Sequence, residues 1–317
     1  MLIGKRIFIT GGAGFLGSNL VKRYYGQNQI TVFSRDESKH YYLKKQFPDI
    51  KCIIGDVRNY DLLKRSCAGH DIGIFAASLK QIDAVSENPS EAVNIIINGA
   101  INSRRAAEEN GLEAACFISS DKSRAATTLY GSMKFVAGES FIVNSDDSAC
   151  RLSCAIYGNV LNSTGSIIPL IWDSIKNNYA LTLYSDKMTR FMIDIDEAMD
   201  LVETSLQHKG VNSIPYLCSF LVKDMFDIFS EKFGLKYTVG KPRISEKIHE
   251  MMISKEEAPR VFYDNGNYFM HYKKTFEPVL EFKSGNFSSA DTVVSKGELE
   301  QLLLKNNFFN PNGTKKY

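Results

Sequence analysis

The stretch 118–134 reads ISSDKSRAATTLYGSMK and holds two pairs of reactive side chains. Tyr130 and Lys134 are four residues apart, so on a helix they share one face. A phenol ionises near pH 10 and is a poor base unless a neighbouring positive charge favours phenolate. Such a pair can take the proton of an alcohol while hydride leaves the same carbon. A Tyr–Lys pair by itself is also a common solvated helix face. Asp121 and Lys122 are adjacent and suit a different step. Beside a new ketone an α-proton is acidic. A desolvated lysine can remove it as a neutral amine, and a carboxylic acid can protonate a departing hydroxyl. The plainer reading of that pair is a strand-end turn with two solvated charges.

The surrounding elements must hold these groups against a cofactor. KRIFITGGAGFLGSNLVKRYYG reads as strand, glycine turn and helix, with Gly11, Gly14 and Gly17 in a GxxGxxG variant of the dinucleotide fingerprint. In that context the first glycine permits the turn, the second admits a pyrophosphate and the third lets the helix pack on the sheet. QITVFSRDE, IKCIIGDVRN, HDIGIFAAS, EAACFISS and ACRLSCAIYG read as further strands, separated by helical stretches over 61–69, 92–111 and 130–140. Alternation at crossover spacing predicts an α/β fold, a Rossmann-type doubly wound parallel sheet. Beyond Gly158 the pattern loosens. A helix is expected at 165–178, a short strand, a loop and another helix within 179–207, a helix at 221–234 and one last short helix within 285–307, and VNSIPYLCSF reads as one strand. The expected division is a cofactor domain over 1–158, with 191–218 returning to it, and a smaller interleaved C-terminal substrate lobe from 159–190 and 219–317. The last residues are expected to fray.

The end of the second strand selects the nucleotide. An NAD site usually carries a carboxylate there. Here Ser34 stands near that position and Arg35 follows, a guanidinium matched to a ribose 2′-phosphate. The balance favours NADP. Asp36 and Glu37 could instead begin a helix. Asp56 could accept from the adenine amino group or cap the next helix.

Composition bounds the rest. A formal net charge of +2 gives no field for nucleic acid. Six cysteines without metal-ligand spacing read as buried free thiols, and no metal site is expected. The chain enters a strand at once and has no run long enough to span a bilayer, so no targeting segment or membrane partner is expected and the location reads as cytoplasmic.

With these residues in view, the chain resembles the soluble, inverting UDP-N-acetylglucosamine 4,6-dehydratases of the extended short-chain dehydrogenase/reductase superfamily. FSRDE, GDVRN, AASLKQ, SSDK, LYGSMK, YGNVLNSTGSIIP, KMTRF and EKIHEMMIS carry the resemblance, in family order. It implies that Tyr130, supported by Lys134, deprotonates the 4-hydroxyl, that Lys122 takes the C5 proton and that Asp121 protonates the departing 6-hydroxyl. Lys134 would also hold the nicotinamide ribose. Phe15, Leu16, Val57, Ala76 and Ala77 would complete the NADP set. Lys80, Asn159, Arg190, Glu246 and Lys247 would line the nucleotide-sugar side. Arg190 has a competing reading as an ion-pair partner of Asp194 or Asp196, and Asn159 as a turn former. The resemblance also implies a homo-oligomer, dimer or hexamer. Departures fall at Ile156 and Thr164, where the family has arginine, at Ser245, where it has glycine, and in SRAATT, where it has a proline-containing stretch. They leave the hexose and the outcome at C5 open. A retaining dehydratase shares the residues, a 4-epimerase needs no Asp–Lys pair, and a non-catalytic NADP-binding protein needs none of them.

Overall fold

The computed structural model describes residues 2–242, 245–280, 282 and 285–310. Residues 311–317, within the tail expected to fray, lie outside these. Strands β1 (Arg6–Thr10), β2 (Gln29–Ser34), β3 (Lys51–Ile54), β4 (Ile72–Phe75), β5 (Ala114–Ile118) and β6 (Arg151–Ala155) alternate with helices α1 (Phe15–Tyr24), α2 (Glu37–Gln46) and α3 (Tyr60–Cys67). Between β4 and β5 come α4 (Ile82–Glu87), α5 (Pro89–Ala92), a π-helical turn Val93–Asn98 and α6 (Gly99–Glu109); α7 (Leu129–Ile142) follows β5. The later elements are β7 (Asn159–Val160), α8 (Ile167–Asn177), β8 (Leu181–Leu183), β9 (Thr189–Ile193), α9 (Ile195–Ser205), β10 (Val211–Pro215), β11 (Ser219–Leu221), α10 (Val222–Phe233), β12 (Tyr237–Val239), β13 (Met251–Ile253), β14 (Val261–Asp264), β15 (Asn267–His271), β16 (Phe287–Ser288) and α11 (Lys296–Lys305).

The central sheet runs β14-β15-β10-β6-β5-β4-β1-β2-β3. Its strands from β3 to β10 are parallel, with Ile7 opposite both Ile30 and Ile72 and Ala114 opposite Arg151. β4 and β5 are buried throughout. Helices on both faces require this, and it explains why the strands are continuous apolar runs rather than alternating ones. Strand order reverses between β1 and β4, which opens a crevice at their carboxyl ends.

Several expectations need correction. Thr189–Ile193, expected as loop, is a fully buried strand. It pairs with β7 and β11, placing Asn159 opposite Met192 and Arg190 opposite Phe220. The stretch VNSIPYLCSF is two strands, interrupted at 216–218, and the interruption leaves Cys218 exposed rather than buried. Residues 261–271, grouped by sequence with the substrate lobe, instead extend the cofactor sheet by pairing antiparallel with β10. An Asn265-Gly266 turn, left-handed at both residues, folds this hairpin. Tyr268 and Met270 then bury themselves against the main core, and Phe269 packs against Phe262 and His208. A second apolar cluster joins α8, α10 and α11, with Trp172 edge-on to Phe229 and its Nε1–H donating to Phe308 O at 3.0 Å. Among the described residues no helix is long and apolar enough to cross a membrane.

Gly266 has φ +81° and open space where a Cβ would go. A side chain there costs only backbone conformation, roughly 1–2 kcal/mol. Gly266→Ala should therefore lower stability by that amount in urea unfolding and leave cofactor affinity unchanged. A matching loss of cofactor affinity would show that the hairpin shapes the crevice.

Candidate active site

A cleft of about 920 Å³ opens at the strand reversal, and every residue assigned to the cofactor lines it, from Gly11 to Lys134. The glycine turn is built for close approach. A Cβ on Gly11, at φ +67°, would lie 2.9 Å from Ala77 N, and one on Gly17 would lie 2.4 Å from Gly12 Cα. Gly14 caps α1, whose first turn lines the cleft and suits an anion. These residues fit a dinucleotide pyrophosphate.

At the far end Ser34 Oγ lies 2.6 Å from His40 Nε2. Asp36 is the N-cap of α2 and accepts from Lys39 N–H at 3.0 Å, so its capping reading holds. Asp56 does not cap α3, because Asn59 does. Instead Asp56 accepts from the Arg58 backbone N–H and guanidinium, with Arg35 Nη1 at 3.6 Å. Lys39 also lines this end of the cleft, a second cation that strand-end reading missed although it is four residues from Arg35. β2 ends at Ser34 rather than at a carboxylate, and Arg35 and Lys39 line this end of the cleft, paired with Asp56 and Asp36.

The reactive pairs meet at the carboxyl end of β5. Asp121 N–H donates to Tyr157 O at 3.0 Å, so the chain leaving β5 runs beside the chain leaving β6. Residues Asp121–Ser123 form a single 3₁₀ turn capped by Ser120. The Asp121 carboxylate is 1% exposed. Its Oδ1 accepts from Ser120 Oγ at 2.8 Å and Lys122 Nζ at 3.2 Å, while Oδ2 has no hydrogen-bond partner. Lys122 Nζ also donates to Asn159 Oδ1 at 3.4 Å. Burial pulls the Lys122 amine down, but Asp121 and Glu250 outweigh it and the net direction is up. The neutral amine expected from desolvation alone is therefore not the resting form.

Tyr130 lies in the first turn of α7, whose N-cap Thr128 accepts from Gly131 N–H at 3.1 Å. Burial pushes its phenol up to about 12, against the Lys122 charge that lowers it. Lys134 is buried, which pulls its amine down to about 8, and Nζ donates to Ile118 O at 3.0 Å. The ammonium acting on the phenol is thus that of Lys122, more than the Lys134 charge expected from helix spacing. Gly131 went unnoticed in the sequence. A Cβ there would lie 2.3 Å from Lys122 O, so α7 packs directly on the catalytic turn.

The substrate-side residues divide. Lys80 donates to Thr164 O across the cleft mouth. Asn159 reaches Lys122 rather than capping a turn. Arg190 does not pair with Asp194, which caps α9, or with Asp196, which pairs with Arg23. Its guanidinium bonds Glu246 at 2.6 Å and the carbonyls of Thr189, Ile248 and Lys247. Lys247 Nζ donates to Arg124 O at 2.6 Å. Among the described residues no cluster of side chains could hold a metal ion.

A family model described as "Polysaccharide biosynthesis protein" matches residues 7–271. The chain is 30% identical over 297 residues to a Campylobacter jejuni protein named UDP-N-acetylglucosamine 4,6-dehydratase (inverting), covering 90% of this chain and 86% of that one. It is 34% identical over 288 residues to a Rickettsia bellii protein named UDP-glucose 4-epimerase, covering 85% and 83%. The X-ray structure of Pen from Bacillus thuringiensis superposes with a TM-score of 0.89 at 26% identity, covering 97% of this chain and all of that one. A parallel sheet with a nucleotide cleft at its reversal, a buried Tyr–Lys pair beside it and relatives matched over most of their length make this chain a member of the polysaccharide biosynthesis family of short-chain dehydrogenase/reductase-type nucleotide-sugar dehydratases and epimerases.

Proposed function

We propose that the chain is an NADP-dependent UDP-N-acetylglucosamine 4,6-dehydratase that inverts C5. The observation that carries this reading is the ion pair of the buried Asp121 carboxylate with the half-buried Lys122, within the electrostatic reach of Tyr130. A 4-epimerase breaks no C5–H bond and would leave that pair without a task.

A nicotinamide held by the glycine turn, Tyr130 and Lys134 would supply reversible hydride acceptance, from C4 and back to C6. Tyr130 accepts the 4-hydroxyl proton; the Lys122 charge beside it helps pay the cost of a buried phenolate. One proton shift inside the ion pair, from Lys122 Nζ to Asp121, creates a neutral amine and a carboxylic acid together. Lys122 then removes the C5 proton as electrons move toward C6, and Asp121 protonates the 6-hydroxyl, which leaves as water. The pair is again ammonium and carboxylate. The ammonium then supplies a proton to C5, Tyr130 passes the proton it took from the 4-hydroxyl to the Lys122 amine, and phenolate, ammonium and carboxylate end as they began. Reprotonation on the opposite face gives the L-arabino 4-keto-6-deoxy sugar, while return to the same face gives the D-xylo isomer.

Arg35 and Lys39 beside Ser34 support NADP over NAD by charge. On the sugar side Lys80 and Asn159, which line the cleft, would hold the nucleotide sugar, and Arg190, Glu246 and Lys247, which lie outside that lining, would support the site from behind. Ile156, where the resemblance expects arginine, is buried and lies outside the cleft lining. Thr164 is in the lining, and Lys80 brings an ammonium to its carbonyl. A cation thus stands where the arginine is missing.

Lys122→Ala should keep fold and NADPH affinity yet lower product formation from UDP-N-acetylglucosamine by roughly 100- to 10,000-fold, measured by proton NMR. Near-normal turnover would remove the assigned base. Arg35→Ala should weaken NADPH binding by roughly tenfold or more in fluorescence titration, as the loss of a charge-assisted contact does, and hardly affect NADH. Equal weakening of both would argue against NADP selection. Gly131→Ala forces α7 from the Lys122 carbonyl and should cost roughly 1–3 kcal/mol of stability in overpacking. It should also slow turnover more than it weakens NADPH binding. An unchanged kcat would mean that the spacing of Tyr130 and Lys122 is not limiting.

A further inference from the structure

Glu250 is a buried carboxylate that the chemistry above does not use. It is 4% exposed. Three cations converge on it: Lys122 Nζ at 3.7 Å and Arg190 Nε at 3.8 Å from Oε1, and Lys247 Nζ at 3.4 Å from Oε2. Oε2 makes no hydrogen bond. The backbone is pinned at both ends: Glu250 N–H donates to Ser289 Oγ and Ser289 N–H donates to Glu250 O, each at 2.8 Å. Ser289 Oγ in turn lies 2.7 Å from Thr189 Oγ1, next to Arg190 on β9. The carboxylate is thus held in place by backbone, while its contacts with the cations are purely electrostatic.

We infer that Glu250 is a positioning residue for the C5 base: one fixed buried carboxylate holds Lys122 as an ammonium beside Asp121 and ties it to the cations of the nucleotide-sugar side, Arg190 and Lys247. The inference rests on the reading of Lys122 as that base. The charged and titratable groups facing Lys122 are Asp121 from its own turn, Tyr130 from α7, Arg190 from β9 and Glu250 from the segment before β13. Those facing Glu250 are Lys122, Arg190 and Lys247, with Glu246 on the other side of Arg190. Three positive and three negative groups balance. An arriving anionic substrate that draws Arg190 and Lys247 toward itself leaves Glu250 with Lys122 as its remaining cation. Substrate binding and the proton affinity of the base are then linked through one residue.

The test is trace acetylation of Lys122 in the NADP-loaded enzyme without substrate, followed by mass spectrometry of its peptide from about pH 8 to about pH 12, a range that extends above the proton affinity of an ordinary lysine. The midpoint reports proton affinity, and the plateau reports access. Glu250→Gln should lower the midpoint by about one pH unit, which is about tenfold faster labelling at a fixed pH below it. Glu250→Asp, which keeps the charge, should stay near wild type. Lys247→Gln, which removes a competing cation, should move the midpoint upward. Should Glu250→Gln fail to fold, the Glu250→Asp and Lys247→Gln shifts still decide. A changed plateau with an unchanged midpoint in Glu250→Gln would overturn the inference, as would a downward shift in Lys247→Gln. The midpoint does not depend on which sugar is turned over. Failure of the dehydratase reading would show in the product, and failure of this inference in the midpoint.

Discussion

The site depends on one buried ion pair. Asp121 is almost wholly enclosed, and a carboxylate so placed is costly unless a cation and hydrogen bonds meet it. Lys122 and Ser120 supply both. The turn that carries them cannot drift, because Asp121 N–H is fixed to Tyr157 O and Ser123 Oγ donates to Ser120 O at 2.6 Å. Helix α7 then packs against the same turn through Gly131. The register of β5 on β6 thus sets the loop, the loop sets the pair, and the pair sets the charge that Tyr130 experiences. Removing Lys122 would leave the Asp121 carboxylate in a place that water hardly reaches.

The residues just after this turn are tied to the segment 245–247. Thr127 Oγ1 donates to Ser245 O at 3.0 Å, and Lys247 Nζ donates to Arg124 O. Arg124 is buried between Glu139 and Glu257, and burial pulls its guanidinium down to about 10. The residues that follow the acid–base pair are therefore held by the segment that carries Glu246, Lys247 and Glu250.

Much of the cofactor side was legible in the sequence because its determinants are local. A glycine turn between an apolar strand and a helix, or a Tyr–Lys pair four residues apart, carries its geometry within one or two elements. The parallel sheet was legible for the same reason. The sugar side was not. Arg190 sits on a short buried strand that local pattern reads as loop, and its partners lie 56 to 60 residues on. Glu250 was in view within EKIHEMMIS, but only folding brings it to Lys122. The hairpin at 261–271 did carry a local signal, the Asn265-Gly266 dipeptide. Its place in the cofactor sheet follows from the open edge of β10, which no local pattern discloses. The resting charge of Lys122 was misjudged because burial alone predicts a neutral amine, whereas two carboxylates reverse the sign.

Turnover of UDP-N-acetylglucosamine in D₂O, followed by early-time proton NMR, tests the acid–base assignment and its stereochemistry together. Deuterium should enter C5 of the first product, with ring couplings of the L-arabino 4-keto-6-deoxy sugar. A first product of D-xylo configuration that epimerises only later in solution would contradict the inversion. A 4-epimer that keeps its C5 proton and its 6-hydroxyl would contradict the role given to Asp121 and Lys122.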